Sequence, residues 1–506
     1  MSPVSYPLKR LVRMPFLPLL GSPRRLMYCN FILRIFIFVL IFSMCRLEAV
    51  AQKAWSLQEC VDYALKNNLA VKRSEVSAEL ADVNFQQSKF TRLPTLNASA
   101  GRNWNFGRTI DPFTNQFTTS QVESDNLSLN SSLVLFNGFQ LRNTLQQSRL
   151  EFMAGQHDLQ KIKNDISLNV VSAYLQALYA KEQLKVAEDR SELAKQQQDR
   201  VRRMVESGVM VQGNLLDATA QSATEELALV SAQNQVDMAR LALAQLLQLT
   251  TVGDFDVLDP QVGIPGQSAV DRTVEEIYLL SLRFLPEVHA ADTRMQSAEK
   301  GVVIAQGAFA PRLTLFGQLS TFYASSNKRI TDGSLIGYAP DGSFINTGFD
   351  TLPVLSPLFD YNLETNPYRT QLDQNLNRAV GVSMSIPLFN GLNTRSALRR
   401  ARLNLESAKI NKDQTRNQVF QSIQQAHTDA KAAGKRYEAT KGSVEAFEAA
   451  FQYAQKRFDA GVIQSLEYLT AVNNLTRSRI DLLQAKYDYI FRLKVLDFYA
   501  GIPLTF

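Results

Sequence analysis

Histidine and cysteine are nearly missing, with three of each in 506 residues. Cys29 and Cys45 fall within residues 1–51, which leaves Cys60 alone in the rest of the chain. A single thiol forms neither an internal disulfide nor a multi-cysteine metal site. On the apolar face of a helical stretch, Cys60 is expected to be a buried small hydrophobe. His157, His289 and His427 lie singly in helical stretches, without metal-ligand spacing. A glycine-rich phosphate loop and a nucleophile elbow are also missing. These absences argue against an enzyme, and no cofactor or metal is expected.

Charge excess is confined to one end. Residues 1–51 hold seven basic residues and one acid, Glu48; from totals of 54 and 48, the remainder keeps 47 of each sign. The basic balance therefore belongs to the leader and gives no ground for nucleic-acid binding. Within that leader, the apolar run from Ile35 to Met44 is too short to cross a bilayer of ~30 Å. It precedes Ala49-Val50-Ala51, a small-x-small signal-peptidase pattern, so cleavage after Ala51 is expected. Met27 is a second candidate start. Cys45 is a poor lipidation site, because Met44 precedes it.

What the chain does contain is a duplication. Leu135-Phe136-Asn137-Gly138 recurs as Leu388-Phe389-Asn390-Gly391, 253 residues later, and Gly208-Val209 recurs as Gly461-Val462 at the same offset. Upstream the offset is 217: Ser56 with Thr273, Glu59 with Glu276, Val71 with Val288, Pro94 with Pro311. The difference, 36 residues, is an insertion in the second copy between Pro311 and Gly391. Four segments follow: a signal peptide 1–51, a first repeat 52–250, a linker 251–271 and a second repeat 272–506.

Each repeat opens on a capping box, Ser56-x-x-Glu59 or Thr273-x-x-Glu276, that starts a helical segment of about 35 residues. Pro94 and Pro311 end these segments and mark strand entry. Two-residue alternation follows at Leu96, Ala98, Ala100, Trp104 and Phe106, and at Leu313, Leu315, Leu319 and Tyr323. Such alternation fits a membrane strand or a half-buried soluble one. Trp104, Phe106 and Tyr323 suit an interfacial aromatic girdle, or ordinary sheet packing. A second alternating run ends at each Leu-Phe-Asn-Gly, so Phe136, Asn137, Gly138, Phe389, Asn390 and Gly391 read as strand-to-helix junctions. Residues 107–125 and 324–378 read as polar loops, the second holding the insertion and two Asp-Gly-Ser turns.

Helical spacing then runs over 139–205 and 392–458, ~100 Å each at 1.5 Å per residue. Alanines within the three-and-four steps allow close helix packing. Gly208 and Gly461 break the pattern, and helices return over 214–248 and 466–497.

This ordered set resembles the TolC family of outer-membrane efflux and secretion channels over residues 55–500. The resemblance implies a mainly α chain with membrane β: long coiled-coil hairpins plus four strands per chain, in a homotrimer with a twelve-stranded barrel and a twelve-helix periplasmic tunnel. It implies an outer-membrane exit duct of a tripartite efflux or type I secretion system. The implied partners are a periplasmic adaptor (membrane fusion protein), an inner-membrane transporter and outer-membrane lipid. It also makes Gly208, Val209, Gly461 and Val462 the turns of a periplasmic entrance. Glu467 fills the family's acidic ring position, Asn214 is its first-repeat match, and Asp217 lies three further on. Ile463 stands where some members carry a basic latch, which removes an ionic tie there. The alternative is a periplasmic coiled-coil adaptor or structural stalk, which would share the hairpins but not the symmetric strands.

Overall fold

The computed structural model describes residues 53–110, 117–119, 121–249, 255–258 and 269–502. Met27, Cys45 and Ala51 of the leader, and most of the 251–271 linker, lie outside the described residues. Lys53, Ala54, Phe255 and Asp256 belong to a small unit, in the short paired strands β1 (Lys53–Trp55) and β6 (Phe255–Val257). The other described residues form one large unit.

Both capping boxes are present. At α1 (Leu57–Asn67), the Ser56 hydroxyl accepts the Glu59 N–H at 3.3 Å, and the Glu59 carboxylate accepts the Ser56 N–H at 2.9 Å. Thr273 and Glu276 do the same at α5 (Val274–Phe284), at 3.2 and 3.0 Å. The single helix of about 35 residues expected before each strand region is instead two helices. Asn68 takes an extended backbone, caps Ala70 with its side chain and starts α2 (Leu69–Phe90) afresh. In the second repeat Leu285 is extended and Pro286 is the first residue of α6 (Pro286–Gly307), where its missing N–H costs nothing.

The break folds α5 onto the long helices. Ile277, Leu285 and Val288 pack with Val419, Ile423, Ala426, Ala430 and Leu496 in one buried cluster. Shifting these positions by 217 or 253 lands on Cys60, Asn68, Val71, Ile166, Val170, Ala177 and Leu243, all buried as well, and on Ala173, which is half-buried. Cys60 therefore occupies the core place of Ile277, and burial pushes its thiol up to about 12, which keeps it protonated and inert.

The long helices α3 (Gln140–Glu206) and α8 (Asn393–Asp459) have 67 residues each, one position later than the periodicity predicts. They return through α4 (Gln212–Leu247) and α9 (Ser465–Tyr499).

Four strands form one antiparallel sheet in the order β10–β7–β5–β2: β2 (Thr95–Asn105), β5 (Val122–Asn137), β7 (Arg312–Ala324) and β10 (Asn377–Ser385). Its register obeys the duplication. Thr95 faces Ser132 and Arg312 faces Ser385; Asn103 faces Ser124 and Ser320 faces Asn377. One face carries Leu96, Leu129, Leu315, Leu319, Val382 and Met384, and the other carries Asn97, Ser99, Asn130, Gln318 and Ser383, as lipid and a wet lumen require. Every residue of β2 is exposed, as befits an edge strand with neither face covered.

The expected loops hold more structure than their composition indicates. In the first, β3 (Arg108–Ile110) pairs with β4 (Phe117–Thr119), and β5 has already begun. In the second, β8 (Lys328–Asn346) pairs with β9 (Thr351–Thr365) in a long hairpin, followed by α7 (Tyr368–Gln374). The Asp-Gly-Ser triplets sit at register irregularities inside β8; the reversal is at residues 347–350, with Gly348 at φ +84°. Prolines 340, 353 and 357 masked this hairpin from a sequence reading. A two-stranded ribbon is all edge, so a proline can sit where no ladder donor is needed.

Candidate functional site: hairpin tips and strand–helix junctions

Both tips close by the same backbone motif. Gly208 (φ +74°) donates to the Val205 carbonyl at 3.0 Å and Val209 to Met204 at 2.9 Å; Gly461 (φ +69°) donates to Phe458 and Val462 to Arg457, both at 2.9 Å. This paired closure satisfies the last helix carbonyls and needs a left-handed residue at the glycine. Val209 and Val462 are left exposed at the two ends.

The tips differ in charge. Glu467, exposed in the first turn of α9, bonds Arg457 across the reversal at 3.1 Å. Its first-repeat counterpart Asn214 is half-buried and faces no such cation, because the position matching Arg457 is Met204. Asp217 is exposed one turn beyond Asn214. Ile463 is buried, 8% exposed, and packs into the turn. Sequence reasoning missed Arg457; the signal was a basic residue in the last turn of α8, opposite an acid in the first turn of α9.

Above the tips, the two hairpins flank a groove of about 330 Å³ lined by Leu193, Val201, Phe451, Leu469 and Val472. Arg190 bridges it, bonding buried Glu225 at 2.7 Å and Asn473 of the other repeat at 3.3 Å.

At the other end of α3 and α8, two successive residues are left-handed: Gly138 (φ +64°) with Phe139 (φ +60°), and Gly391 (φ +61°) with Leu392 (φ +65°). Such a conformation is unusual for bulky side chains. The Asn137 and Asn390 side chains accept from the N–H groups of Leu141 and Thr394, at 3.3 and 3.5 Å, and tie each turn to its helix. Phe136 stays in β5, whereas β10 stops at Ser385 and leaves Phe389 85% exposed outside any strand. Within the chain β10 ends where its partner β7 begins, Ser385 opposite Arg312, whereas β5 runs on against β7 to Asn137. Pro94 and Pro311 directly precede β2 and β7. Trp104 and Phe106 are exposed at the far end of β2, and Tyr323 is half-buried against Tyr368, their rings 4.9 Å apart.

Two histidines that stand alone in sequence meet in space. The His157 and His289 rings lie 5.5 Å apart, and His289 also contacts the Arg283 carbonyl. Among the described residues, no group of three His, Cys, Asp or Glu is placed to hold a metal. Burial, then His289, holds His157 below its usual value, with Asp158 opposing. A depressed histidine binds its proton less readily when folded, so its contribution to stability is full above about pH 6.5 and is lost as pH falls through the lowered value. His157→Gln is expected to flatten the acid branch of a thermal-stability profile below about pH 6.5. Parallel acid branches in both proteins would refute this.

The family profile described as "Outer membrane efflux protein" matches residues 60–248 and 281–501. The outer membrane efflux protein BepC of Brucella suis is 23% identical over 430 residues, covering 84% of this chain and 81% of BepC. The outer membrane protein TolC of Escherichia coli K12 is 21% identical over 447 residues, covering 87% and 80%. A crystal structure of CusC superposes with a TM-score of 0.68 at 18% identity, over 88% of this chain and 92% of that one. That of VceC from Vibrio cholerae also gives 0.68, at 17% identity, over 89% and 97%. With the duplicated sheet, the long hairpins and a profile match that spans both repeats, the chain belongs to the outer membrane efflux protein family.

Proposed function

We propose that this efflux channel works as a homotrimer whose barrel closes by pairing β10 of one copy with β2 of the next. The observation that carries this reading is the pair of open edges in a four-stranded sheet. Unpaired backbone in lipid costs several kcal/mol per group, so the sheet has to close on other copies. The duplication supplies the register. Within the chain, β5 and β7 pair across the repeats, Ser132 facing Phe316. Adding 253 to the first and subtracting 217 from the second places Ser385 opposite Ser99 of the neighbour. In S99C/S385C, oxidation is expected to give covalent dimers and trimers on non-reducing gels. Moving one cysteine by a residue, to M384C, turns it to the other face and is expected to abolish the bond. Crosslinking in both variants, or in neither, would overturn the seam.

In this reading, the leader is removed after Ala51, and Trp104, Phe106 and Tyr323 sit at the outer interface. Residues 139–206 and 392–459 line a tunnel that reaches through the periplasm to the tips. The apolar groove between the hairpins gives a periplasmic adaptor helix a place to dock, and through it an inner-membrane transporter delivers cargo. Such a duct needs no cofactor and performs no reaction.

Three Glu467 carboxylates would ring the entrance, each held by its own Arg457. The pair is exposed, so its net stabilising effect is small and mainly positions the charge. Glu467→Gln is expected to reduce cation preference in planar-bilayer recordings, and Arg457→Gln to increase it. Unchanged reversal potentials in both would reject the ring.

A further inference from the structure

The 36-residue insertion has two unlike faces. Opposed pairs Ile330 with Leu363, Leu335 with Phe359, and Tyr338 with Pro357 lie on one side of the β8–β9 ribbon, and no charged residue interrupts them. Leu355, Phe344 and Tyr361 extend the same face, and Phe359 stacks on Tyr361 at 5.9 Å. These side chains are bare within one chain: Tyr338 is 65% exposed, Phe344 66% and Ile330 59%. The opposite face carries Asp332, Ser334, Asp360 and Asn362 in its basal half, with Arg329 bonding Glu364 at 3.6 Å, and only toward the turn does it add the separate apolar residues Leu358, Leu352 and Ile345. A lone two-stranded hairpin is marginal in water, and one with a bare aromatic face is more so.

Hydrocarbon does not suit that face, because both outer edges of the ribbon are unpaired. An anionic membrane surface suits it poorly too. Residues 328–365 hold two basic and five acidic side chains, a net charge of −3. A second copy meets neither objection, since apolar face on apolar face leaves the acidic sides in water. The hairpin springs from the sheet end remote from the helices, right after β7 and just before β10. The fifteen residues of β9 reach ~50 Å at ~3.3 Å each. Twelve strands spaced ~4.8 Å apart and tilted ~40° close a barrel of radius only ~12 Å, so each hairpin can reach the axis. Tethering three copies at one mouth raises their mutual concentration to the mM range, which favours even a weak contact.

We propose that the β8–β9 hairpin is a contact surface for its own copies: the apolar faces of three hairpins pack together beyond the barrel and narrow its outer exit. This rests on the trimer reading, and the experiment separates the two. Full-length Y338C in outer-membrane vesicles is treated with a short bismaleimide, beside S99C/S385C as a report on the seam. Covalent dimers of Y338C, whose single accessible thiol per chain limits it to pairs, and dimers and trimers of S99C/S385C are expected. Seam dimers with monomeric Y338C would overturn the hairpin contact alone, while failure of both would overturn the trimer and the contact with it. Quenching of a dye at Y338C by lipid-borne quenchers, without protein crosslinks, would assign the face to lipid and also overturn the proposal. Replacing residues 330–363 with a short Gly-Ser turn is expected to raise single-channel conductance. Unchanged conductance would show that the exit is not narrowed there.

Discussion

Gly138→Ala is expected to abolish assembly of the folded channel, while Gly391→Ala is expected to leave most of it intact. Both glycines are left-handed, so alanine at either costs roughly 1–2 kcal/mol. The surroundings make the difference. A Cβ on Gly138 would fall 2.2 Å from the Gly307 carbonyl oxygen and 2.8 Å from the Ala310 Cβ. Gly307 is equally tight, since its own Cβ would sit 2.4 Å from the Gly138 oxygen. Two backbones thus meet where β5 enters α3 and α6 ends, and neither can yield as a flexible side chain would. Gln140 locks the same spot by donating to the Ile304 carbonyl at 3.0 Å. Within one chain a Cβ on Gly391 would meet nothing within 4 Å, and the first-repeat match of Gly307 is Phe90, so the glycine-on-glycine contact is not duplicated. The check is the yield of heat-modifiable oligomer in outer-membrane fractions. Equal yields from the two variants would show that the close approach does not matter.

That asymmetry marks the limit of what repetition reveals. The duplication located both junctions and both tips, and helical spacing placed α3 and α8 within one residue, because a 67-residue helix displays its period many times. The capping boxes were legible because their chemistry lies within four consecutive residues. Features made by one residue against a distant one were not. The glycine contact needs Gly138 and Gly307 together, the His157–His289 pair spans two helices, and Arg457 meets Glu467 only once the tip has folded. The breaks at Asn68 and Pro286 escaped for a different reason. Asparagine and proline are good helix starters, and in an apolar pattern that runs on either side, a restart looks like continuation. Left-handed Phe139 and Leu392 carry no sequence signal, since their side chains disfavour the conformation they adopt.

The β8–β9 hairpin was the largest feature left unread, and its base predicts a second large effect. Gln371 is fully buried on α7, and its amide works like a strip of backbone. Oε1 accepts the Ala324 N–H at 3.0 Å, while Nε2 donates to the Ala324 carbonyl at 3.1 Å and the Asn366 carbonyl at 2.8 Å. The end of β7 and the chain leaving β9 are thereby clamped together, with the Asn366 N–H donating to Asn327 at 2.8 Å beside them. Gln371→Leu keeps the bulk but removes every one of these side-chain bonds. It leaves the buried Ala324 N–H and the Asn366 carbonyl without their amide partner, at about 1–3 kcal/mol each. The ~2–6 kcal/mol falls on the hairpin base, because the amide meets the sheet only at Ala324, the last residue of β7, and bonds none of the other three strands or the long helices. The expected result is an assembled channel whose 328–365 segment is nicked far faster by external protease than in the unaltered protein, with thermal stability of the helical part unchanged. Gln371→Glu keeps the acceptor for Ala324 but sets a buried carboxylate oxygen against the Ala324 and Asn366 carbonyls, so its nicking rate should be at least that of Gln371→Leu. Equal protection of all three proteins would show that the hairpin is held by its copies rather than by its root.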